Sequence, residues 1–476
     1  MRFCSLTLGC KVNQYETQGI EGILIAHGHM LAKPGDGCDV CIINTCAVTA
    51  ESARKSRQAV RRLRKLEPYA LVAVCGCLSE LDPSMTISLG ADLVGGSGNR
   101  RGFALEIEEA VARGVNVECR KQDLECRMQN MECRMQDLEC RTQNVECTVS
   151  SAECKIHNAQ LWDVGGKLDD PIDRSVFEEL LPGVVAGRTR ALLKIQDGCD
   201  NYCAYCVIPY ARGHARSLPL ERVAEHARML DARGFREIVI TGIEISSYGK
   251  DLVDHPMLTY AAYIIGQAAP NARLRLGSLE PGVVTEGFCI SLGAIANLCN
   301  HFHLSLQSGC DGTLRRMGRK YDTNTAFETV SLLRNRFPDC GITADLIVGF
   351  PGETDAEFEK TLEFIKDAAF SDMHIFPFSM RPGTRAADMP DQIAKEVKRE
   401  RARIATLVAE EMAHSFKYGQ IGKTVDVLFE RKRDGFWCGH SGNYLEVTAR
   451  DGGAKNDVDK VTITSIEDGT IWGEIT

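Results

Sequence analysis

The sequence predicts an α/β protein in three parts: an N-terminal open parallel α/β domain, a central partial (β/α)6 barrel and a small C-terminal β-barrel. Three observations carry this. Strand-like runs at 2–8, 40–43 and 70–75 are separated by helical stretches, a βαβ pattern that implies a parallel sheet. Six further runs, at 190–195, 236–241, 272–278, 302–306, 341–348 and 373–378, also alternate with helical stretches and suggest a partial or open barrel of βα units. Short strands at 424–430, 436–439, 444–447, 461–464 and 471–475, joined by Gly-Asn-Asp turns, suggest a closed barrel. The expected boundaries are 1–118, a repeat insert over 119–165, an Asp- and Pro-containing linker over 166–184, then 185–416 and 417–476.

The chain of 476 residues is long enough for two or three domains with full cores. Hydrophobic residues make up 44% and charged residues 25%, the balance of an ordinary globular protein. No apolar run approaches the length of a membrane span, and the N-terminus reads as a first strand instead of a signal peptide. A cytoplasmic location with no membrane partner is therefore expected. In such a chain, 21 cysteines point to metal or redox chemistry and not to disulfides. A net charge of −9 argues mildly against nucleic-acid binding, although local patches and not the total decide that.

Cys199, Cys203 and Cys206 stand at C-x3-C-x2-C just after the first run of the central barrel. Thiolates are soft ligands that hold iron–sulfur clusters. Three of them leave one iron of a [4Fe–4S] cluster open to a small molecule. The competing readings are unrelated buried thiols or a structural zinc knuckle, for which His214 is the available fourth ligand. A second set, Cys10, Cys46 and Cys77, lies just beyond the ends of the first three strands, the edge where open α/β sheets bind ligands. These fit a second three-thiolate cluster, or three small core residues. Cys4, Cys41 and Cys75 fall inside apolar strands and read as packing, which makes the C-x2-C of Cys38 and Cys41 a decoy.

Polar residues punctuate the other strand ends of the central domain: Glu244, Ser278 and Glu280, Gln307, then Asp345 within the fifth run and Gly349 after it. Singly each reads as a capped turn. Together, at equivalent ends, they mark a ligand edge. The run Arg54–Lys65 is a basic helix, suited either to phosphates or to plain solvation. Phe436, Trp437 and Tyr444 suit base stacking or the barrel core.

These motifs resemble the radical S-adenosylmethionine (SAM) methylthiotransferases. The likeness is carried by Leu8 through Thr17 (LGCKVNQYET), Ile43 through Thr49 (INTCAVT), Gly76-Cys77 and the Cys199–Cys206 motif. It continues in Arg275 through Pro281 (RLGSLEP), His303 through Gly309 (HLSLQSG), Arg316 through Tyr321 (RMGRKY) and Asp345 through Thr354. It covers nearly everything but the insert. Lys11 through Glu16 (KVNQYE) most resembles the branch acting on threonylcarbamoyladenosine in tRNA; the isopentenyladenosine-tRNA and ribosomal-protein-aspartate branches usually read differently there.

The resemblance implies two [4Fe–4S] clusters, one on Cys199, Cys203 and Cys206 and one on Cys10, Cys46 and Cys77. It implies a SAM site in which Tyr205 lies near the adenine, and it makes Glu244, Ser278, Glu280, Gln307, Asp345 and Gly349 candidate cofactor contacts. The six cysteines are the catalytic set. The expected substrate is the tRNA anticodon stem-loop, methylthiolated at C2 of the modified adenosine beside the anticodon. The expected electron donor is of flavodoxin or ferredoxin type, and the C-terminal barrel is expected to be a TRAM domain. Besides the other two branches, the remaining alternative is a non-catalytic iron–sulfur RNA-binding or redox-sensing protein.

The insert departs from the family. Its cysteines recur every seventh residue, at 119, 126, 133, 140, 147 and 154. On a helix such neighbours are about 10.5 Å apart along the axis, too far to share an ion. Met128, Met131, Met135, Leu138 and Val145 make a helical apolar seam that the cysteines avoid. Deleting 119–165 should leave iron content and activity largely intact; losing either cluster in that deletion would refute this reading.

Overall fold

A computed structural model of the chain describes residues 1–113, 170–181 and 189–476. The repeat insert lies outside them. The chain forms two compact units. The smaller holds Met1–Gly9, Gly19–Ala47 and the chain from Glu51; the larger holds Cys10–Gln18, Val48–Ala50 and the chain from Asp170.

The smaller unit is built on five parallel strands, β1 (Arg2–Thr7), β2 (Met30–Leu31), β3 (Val40–Thr45), β4 (Leu71–Gly76) and β5 (Leu93–Val94), in the order β2-β1-β3-β4-β5. Because strand side chains alternate, β1, β3, β4 and β5 each feed two cores. Phe3, Val40, Ile42, Leu71, Ala73 and Cys75 pack on one face with Ile20, Leu24, Phe103 and Ile107. Cys4, Cys41, Ile43, Val72 and Val74 pack on the other with Ala59, Val60 and Leu63. Strands buried on both faces explain the near-continuous apolar runs. The helices involved are α1 (Lys11–Ala26), α2 (Ala50–Leu66), α3 (Cys77–Leu81), α4 (Pro83–Ser88) and α5 (Arg100–Ala112). The strand order reverses between β1 and β3, the switch point at which such sheets take ligands.

In the larger unit the six expected βα runs are present, all parallel, with one revision. β6 (Arg190–Lys194) is followed by a two-strand ribbon, β7 (Gln196–Asp197) with β8 (Arg216–Ser217), and then by β9 (Glu237–Thr241). The run at 272–278 is two strands, β10 (Arg273–Arg275) and β11 (Ser278–Leu279), serving different sheets. β10 closes the sheet β6-β9-β10, and β11 opens β11-β12-β13-β14, where β12 is His301–Gln307, β13 Gly341–Val348 and β14 Asp372–Pro377. Its apolar residues continue across the break, which is why the two read as one run. One core of inward-facing strand residues and helix residues joins both sheets. Helices α6 (Ile208–Arg212), α7 (Leu220–Ala232), α8 (Leu258–Ala268), α9 (Glu286–Leu292), α10 (Asp311–Met317), α11 (Thr323–Arg336), α12 (Asp355–Ala368) and α13 (Lys395–Tyr418) complete it.

The C-terminal part is a closed barrel of β15 (Thr424–Arg433), β16 (Phe436–Ser441), β17 (Glu446–Ala449), β18 (Val458–Glu467) and β19 (Thr470–Ile475). Its core alternates as the sequence does, with Val427, Phe429, Val447, Ala449, Val461 and Ile463 inside. Tyr444 precedes β17 instead of starting it, in a turn with a left-handed φ of 73°. The barrel docks through arginines. Arg273 donates to the carbonyls of Asp426 (3.0 Å) and His440 (2.6 Å), and Arg275 to those of Gly442 (2.9 Å) and Ser441 (3.0 Å). Buried Glu237 holds both guanidiniums at 2.6 and 2.8 Å. Burial pushes its carboxyl pKa up, but Arg275 and Arg273 outweigh that and take it down to about 2.

Residues 170–181 are bound to the larger unit, not slack. Phe177 and Leu180 are buried, Tyr15 donates its hydroxyl to the Leu180 carbonyl, and Glu179 holds Arg222 and His226. Beneath them lies a knot of buried charge. Lys194 Nζ meets Glu16 Oε1 at 2.9 Å and Asp197 Oδ2 at 2.7 Å. Arg212 Nη1 meets the same two carboxylates at 2.7 and 2.9 Å, while its Nη2 donates to Glu16 Oε2 at 3.0 Å and Asn13 Oδ1 at 2.8 Å. All five side chains are buried. Burial alone would raise the Asp197 pKa, but Lys194 and Arg212 draw it far below the usual carboxylate range. Removing one partner of a buried pair strands the other. Glu16→Ala should therefore destabilise the larger unit by about 3–5 kcal/mol, read as a lower midpoint of thermal unfolding; an unchanged midpoint would contradict the knot.

Candidate active site

The motif Cys199–Cys206 begins where the chain leaves β7. Gly198 turns it with φ +69°, and a Cβ there would fall 1.9 Å from the His214 carbonyl oxygen, so only glycine fits. The loop is then stitched on all sides. Cys199 N–H donates to the Gly213 carbonyl at 3.0 Å, Ala204 N–H to Met317 at 2.8 Å, and Ala386 N–H to Ala204 at 2.8 Å. Arg385 donates to the Tyr202 carbonyl at 2.8 Å. Within the loop Cys206 N–H donates to the Cys203 carbonyl at 3.0 Å.

No described cysteine is in a disulfide. Burial pushes the Cys199 and Cys206 thiols up to about 12, and the neighbouring cysteines add to it. Three cysteine sulfurs on one loop, none in a disulfide, are the soft donor set that an iron–sulfur cluster takes as thiolates. Among the described residues no three His, Cys, Asp or Glu side chains close around a single metal ion. His214, the fourth ligand of the zinc alternative, is hydrogen-bonded to Asp200 through Nδ1 at 2.6 Å.

Around this loop the structure joins some of the expected contacts and separates others. Glu280 Oε1 pairs with Arg319 Nη2 at 3.1 Å, and Arg319 Nη1 donates to Cys203 Sγ at 3.2 Å. Glu244 accepts from Ser246 N–H at 3.1 Å; burial, then the charge of Glu280, pushes its pKa up. Tyr205 sits edge-on to Phe350, ring centres 6.4 Å apart. Asp345 lies on β13 and meets His303 Nε2 at 3.2 Å, and His303 Nδ1 lies 2.8 Å from Thr343 Oγ1. Gly349 donates its N–H to Glu353 at 2.6 Å. Ser278 is exposed at the start of β11, and Gln307 ends β12 with a left-handed φ of 64°.

Of the second set, Cys46 and Cys77 belong to the smaller unit. They follow Thr45 and Gly76, which are register partners on β3 and β4. Gly76 has φ +107°, and a Cβ there would lie 2.4 Å from the Thr45 oxygen, so the strands close up immediately before both thiols. Cys46 N–H donates to Ser56 Oγ at 3.1 Å, and Cys77 opens α3. Cys10 belongs to the larger unit, exposed, with Sγ 3.7 Å from Asn13 Oδ1, the atom that also accepts from Arg212. Cys75 is fully buried in the core of the smaller unit. Cys4 and Cys41 are buried across β1 and β3 with their sulfurs 3.4 Å apart.

Several functional groups were not legible as such. Arg319 lies inside the RMGRKY stretch, but nothing local marks it as a neighbour of Cys203. Lys194 offered a signal: a lone cation in the apolar run Ala191–Ile195 must have buried partners. On α2 the basic run divides. Arg54, Lys55, Arg61, Arg62 and Lys65 are exposed, whereas Arg64 turns back to Asp92 and the Ala70 carbonyl. Tyr444 stacks on His301 with ring centres 4.6 Å apart and lies under Arg275 at 4.8 Å, so it joins the barrel to the body. Arg450 over Trp472 (4.7 Å) and Lys432 over Trp437 (5.1 Å) form the barrel's cation–aromatic pairs.

No helix among the described residues is long and apolar enough to cross a membrane. Residues 193–365 match the Radical SAM superfamily, and residues 2–95 match Uncharacterized protein family UPF0004. The chain is 30% identical to threonylcarbamoyladenosine tRNA methylthiotransferase MtaB of Bacillus subtilis, over 97% of this chain and 92% of the relative. It is 33% identical to the protein of the same name from Thermotoga maritima, over 89% of this chain and 85% of the relative. A solved structure of the radical S-adenosylmethionine methyltransferase TsrM from Kitasatospora setae shares the fold, with TM-score 0.53 and 14% identity over 81% of this chain and 74% of that one. With both cysteine motifs inside so nearly complete a likeness, the chain belongs to the radical-SAM methylthiotransferases, in the family of the threonylcarbamoyladenosine tRNA enzymes.

Proposed function

We propose that the protein methylthiolates C2 of N6-threonylcarbamoyladenosine at position 37 of tRNA, beside the anticodon. The observation that carries this reading is the likeness to the Bacillus relative along 97% of the chain. Residues 1–118 would be the cluster domain, 185–416 the radical-SAM core and 417–476 the TRAM domain. Cys199, Cys203 and Cys206 would hold one [4Fe–4S] cluster, and Cys10, Cys46 and Cys77 the other. When bound, the clusters and SAM supply one-electron cleavage of SAM, a radical able to attack an unactivated aromatic C–H, and the sulfur to be transferred.

The chain's own part is ligation, aim and exclusion of water. Each triad would leave one iron of its cluster without a protein ligand, one for SAM and one for sulfur. Tyr205, Glu244, Ser278, Glu280, Gln307, Asp345 and Gly349 would line the SAM edge. The exposed arginines of α2 and the barrel's cation–aromatic pairs suit phosphates and unstacked bases of an anticodon loop. Thiolate ligation suits a reducing compartment, so we place the protein in the cytoplasm with a flavodoxin- or ferredoxin-type electron donor.

tRNA nucleosides from a deletion strain should lack 2-methylthio-N6-threonylcarbamoyladenosine; an unchanged level overturns the substrate. In anaerobically reconstituted protein, C199A/C203A/C206A should halve the iron and abolish 5′-deoxyadenosine formation from SAM. C10A/C46A/C77A should also halve the iron but spare that cleavage while stopping sulfur transfer; full iron in either variant breaks the assignment. R61E/R62E on α2 should weaken tRNA binding and lower its salt slope by about 1 for each phosphate no longer neutralised. SAM cleavage without tRNA should be unaffected by that pair; an unchanged salt slope would remove α2 from the RNA surface.

A further inference from the structure

Arg319 is buried against the SAM-side triad, its side chain 4% exposed. It is delivered there by the end of α10. Gly318 caps that helix in the left-handed region, Arg319 N–H returns to the Leu314 carbonyl at 3.0 Å, and the Met317 carbonyl accepts from Ala204 N–H inside the cysteine loop. Every nitrogen of the guanidinium then has a partner. Nη1 donates to Cys203 Sγ at 3.2 Å; Nη2 meets Glu280 at 3.1 Å and the Ser305 carbonyl at 3.3 Å; Nε faces the Tyr321 hydroxyl at 3.3 Å. Tyr321 is itself fixed, its single hydroxyl proton shared between the Ser305 and Leu306 carbonyls at 2.7 and 2.6 Å. A cation held this firmly, with so little water to screen it, acts on one ligand sulfur.

We propose that Arg319 is a positioning residue that sets the reduction potential of the cluster on Cys199, Cys203 and Cys206, through its hydrogen bond to the Cys203 sulfur. This rests on the cluster assignment above. The step concerned is the entry of one electron from a flavodoxin- or ferredoxin-type donor; no bond is made or broken and no proton moves. A hydrogen bond from a cation withdraws electron density from a thiolate, and it favours the reduced form, which carries one more negative charge. Arg319 therefore raises the potential. Glu280, on the same guanidinium, moderates that effect.

The test is an anaerobic redox titration followed by electron paramagnetic resonance, without SAM or tRNA. It uses the full chain carrying C10A/C46A/C77A, so that one cluster remains. Arg319→Met should lower the midpoint potential and alter the reduced-cluster signal, and Arg319→Lys should fall between Met and the parent. Glu280→Gln should raise the midpoint. An R319M protein with full iron and the parent's midpoint overturns the proposal, as does one whose only defect is weaker SAM binding. If R319M fails to load, E280Q decides: an upward shift supports the proposal and no shift overturns it. A parent chain that holds no cluster defeats the assignment beneath it instead.

Discussion

The buried exchange of charge among Glu16, Lys194, Asp197 and Arg212 is the constraint on which the larger unit depends. Charged groups leave water only when paired, and these four are paired twice over. They come from three places in the chain: the first turns of α1, the end of β6 with its ribbon, and α6. Each lies within a few residues of a proposed cluster ligand. Cys10 precedes α1, Cys199 follows β7, and Cys206 precedes α6. Apolar packing tolerates small slips of one surface over another. A bidentate guanidinium does not, so the backbone around these thiols is held to a stricter geometry than a hydrophobic interface would give.

A second pattern concerns how thiols are presented. Cys77 and Cys199 each follow a glycine in the left-handed region, at a point where a Cβ would strike the backbone of a neighbouring segment. In each case the strand ends at or just before the glycine, and the thiol follows at once. Strand ends thereby present thiols without a long loop, and short connections keep those thiols stiff. Around the Cys199 loop the same stiffness comes from backbone hydrogen bonds to Gly213, Met317 and Ala386, of which the last two are remote from it in sequence.

Much of this could be read directly from the residues. The apolar runs mark strands because both faces of each sheet are covered, and the cysteines at their ends stand out against a polar turn. Cys41 and Cys75 could be set aside because they fall within those runs, and both are fully buried. What escaped is long-range pairing. Arg319 and Cys203 are 116 residues apart, and Arg212 and Glu16 are 196 apart; no local pattern joins them. The break at 276–277 escaped because leaving one sheet for another needs no change of composition. Tyr444 has the residue type of a base-stacking platform, and only its contacts with His301 and Arg275 show that it holds the barrel to the body.

The C-terminal barrel is closed, with β17 and β19 completing the ring through a parallel pair. A ring of strands exposes no row of free amides and carbonyls, so a neighbouring polypeptide cannot lengthen it by adding a strand. Whatever this module grips it must grip by side chains and turns. Its selectivity can then drift by single substitutions on the outer surface while the strand register beneath stays untouched.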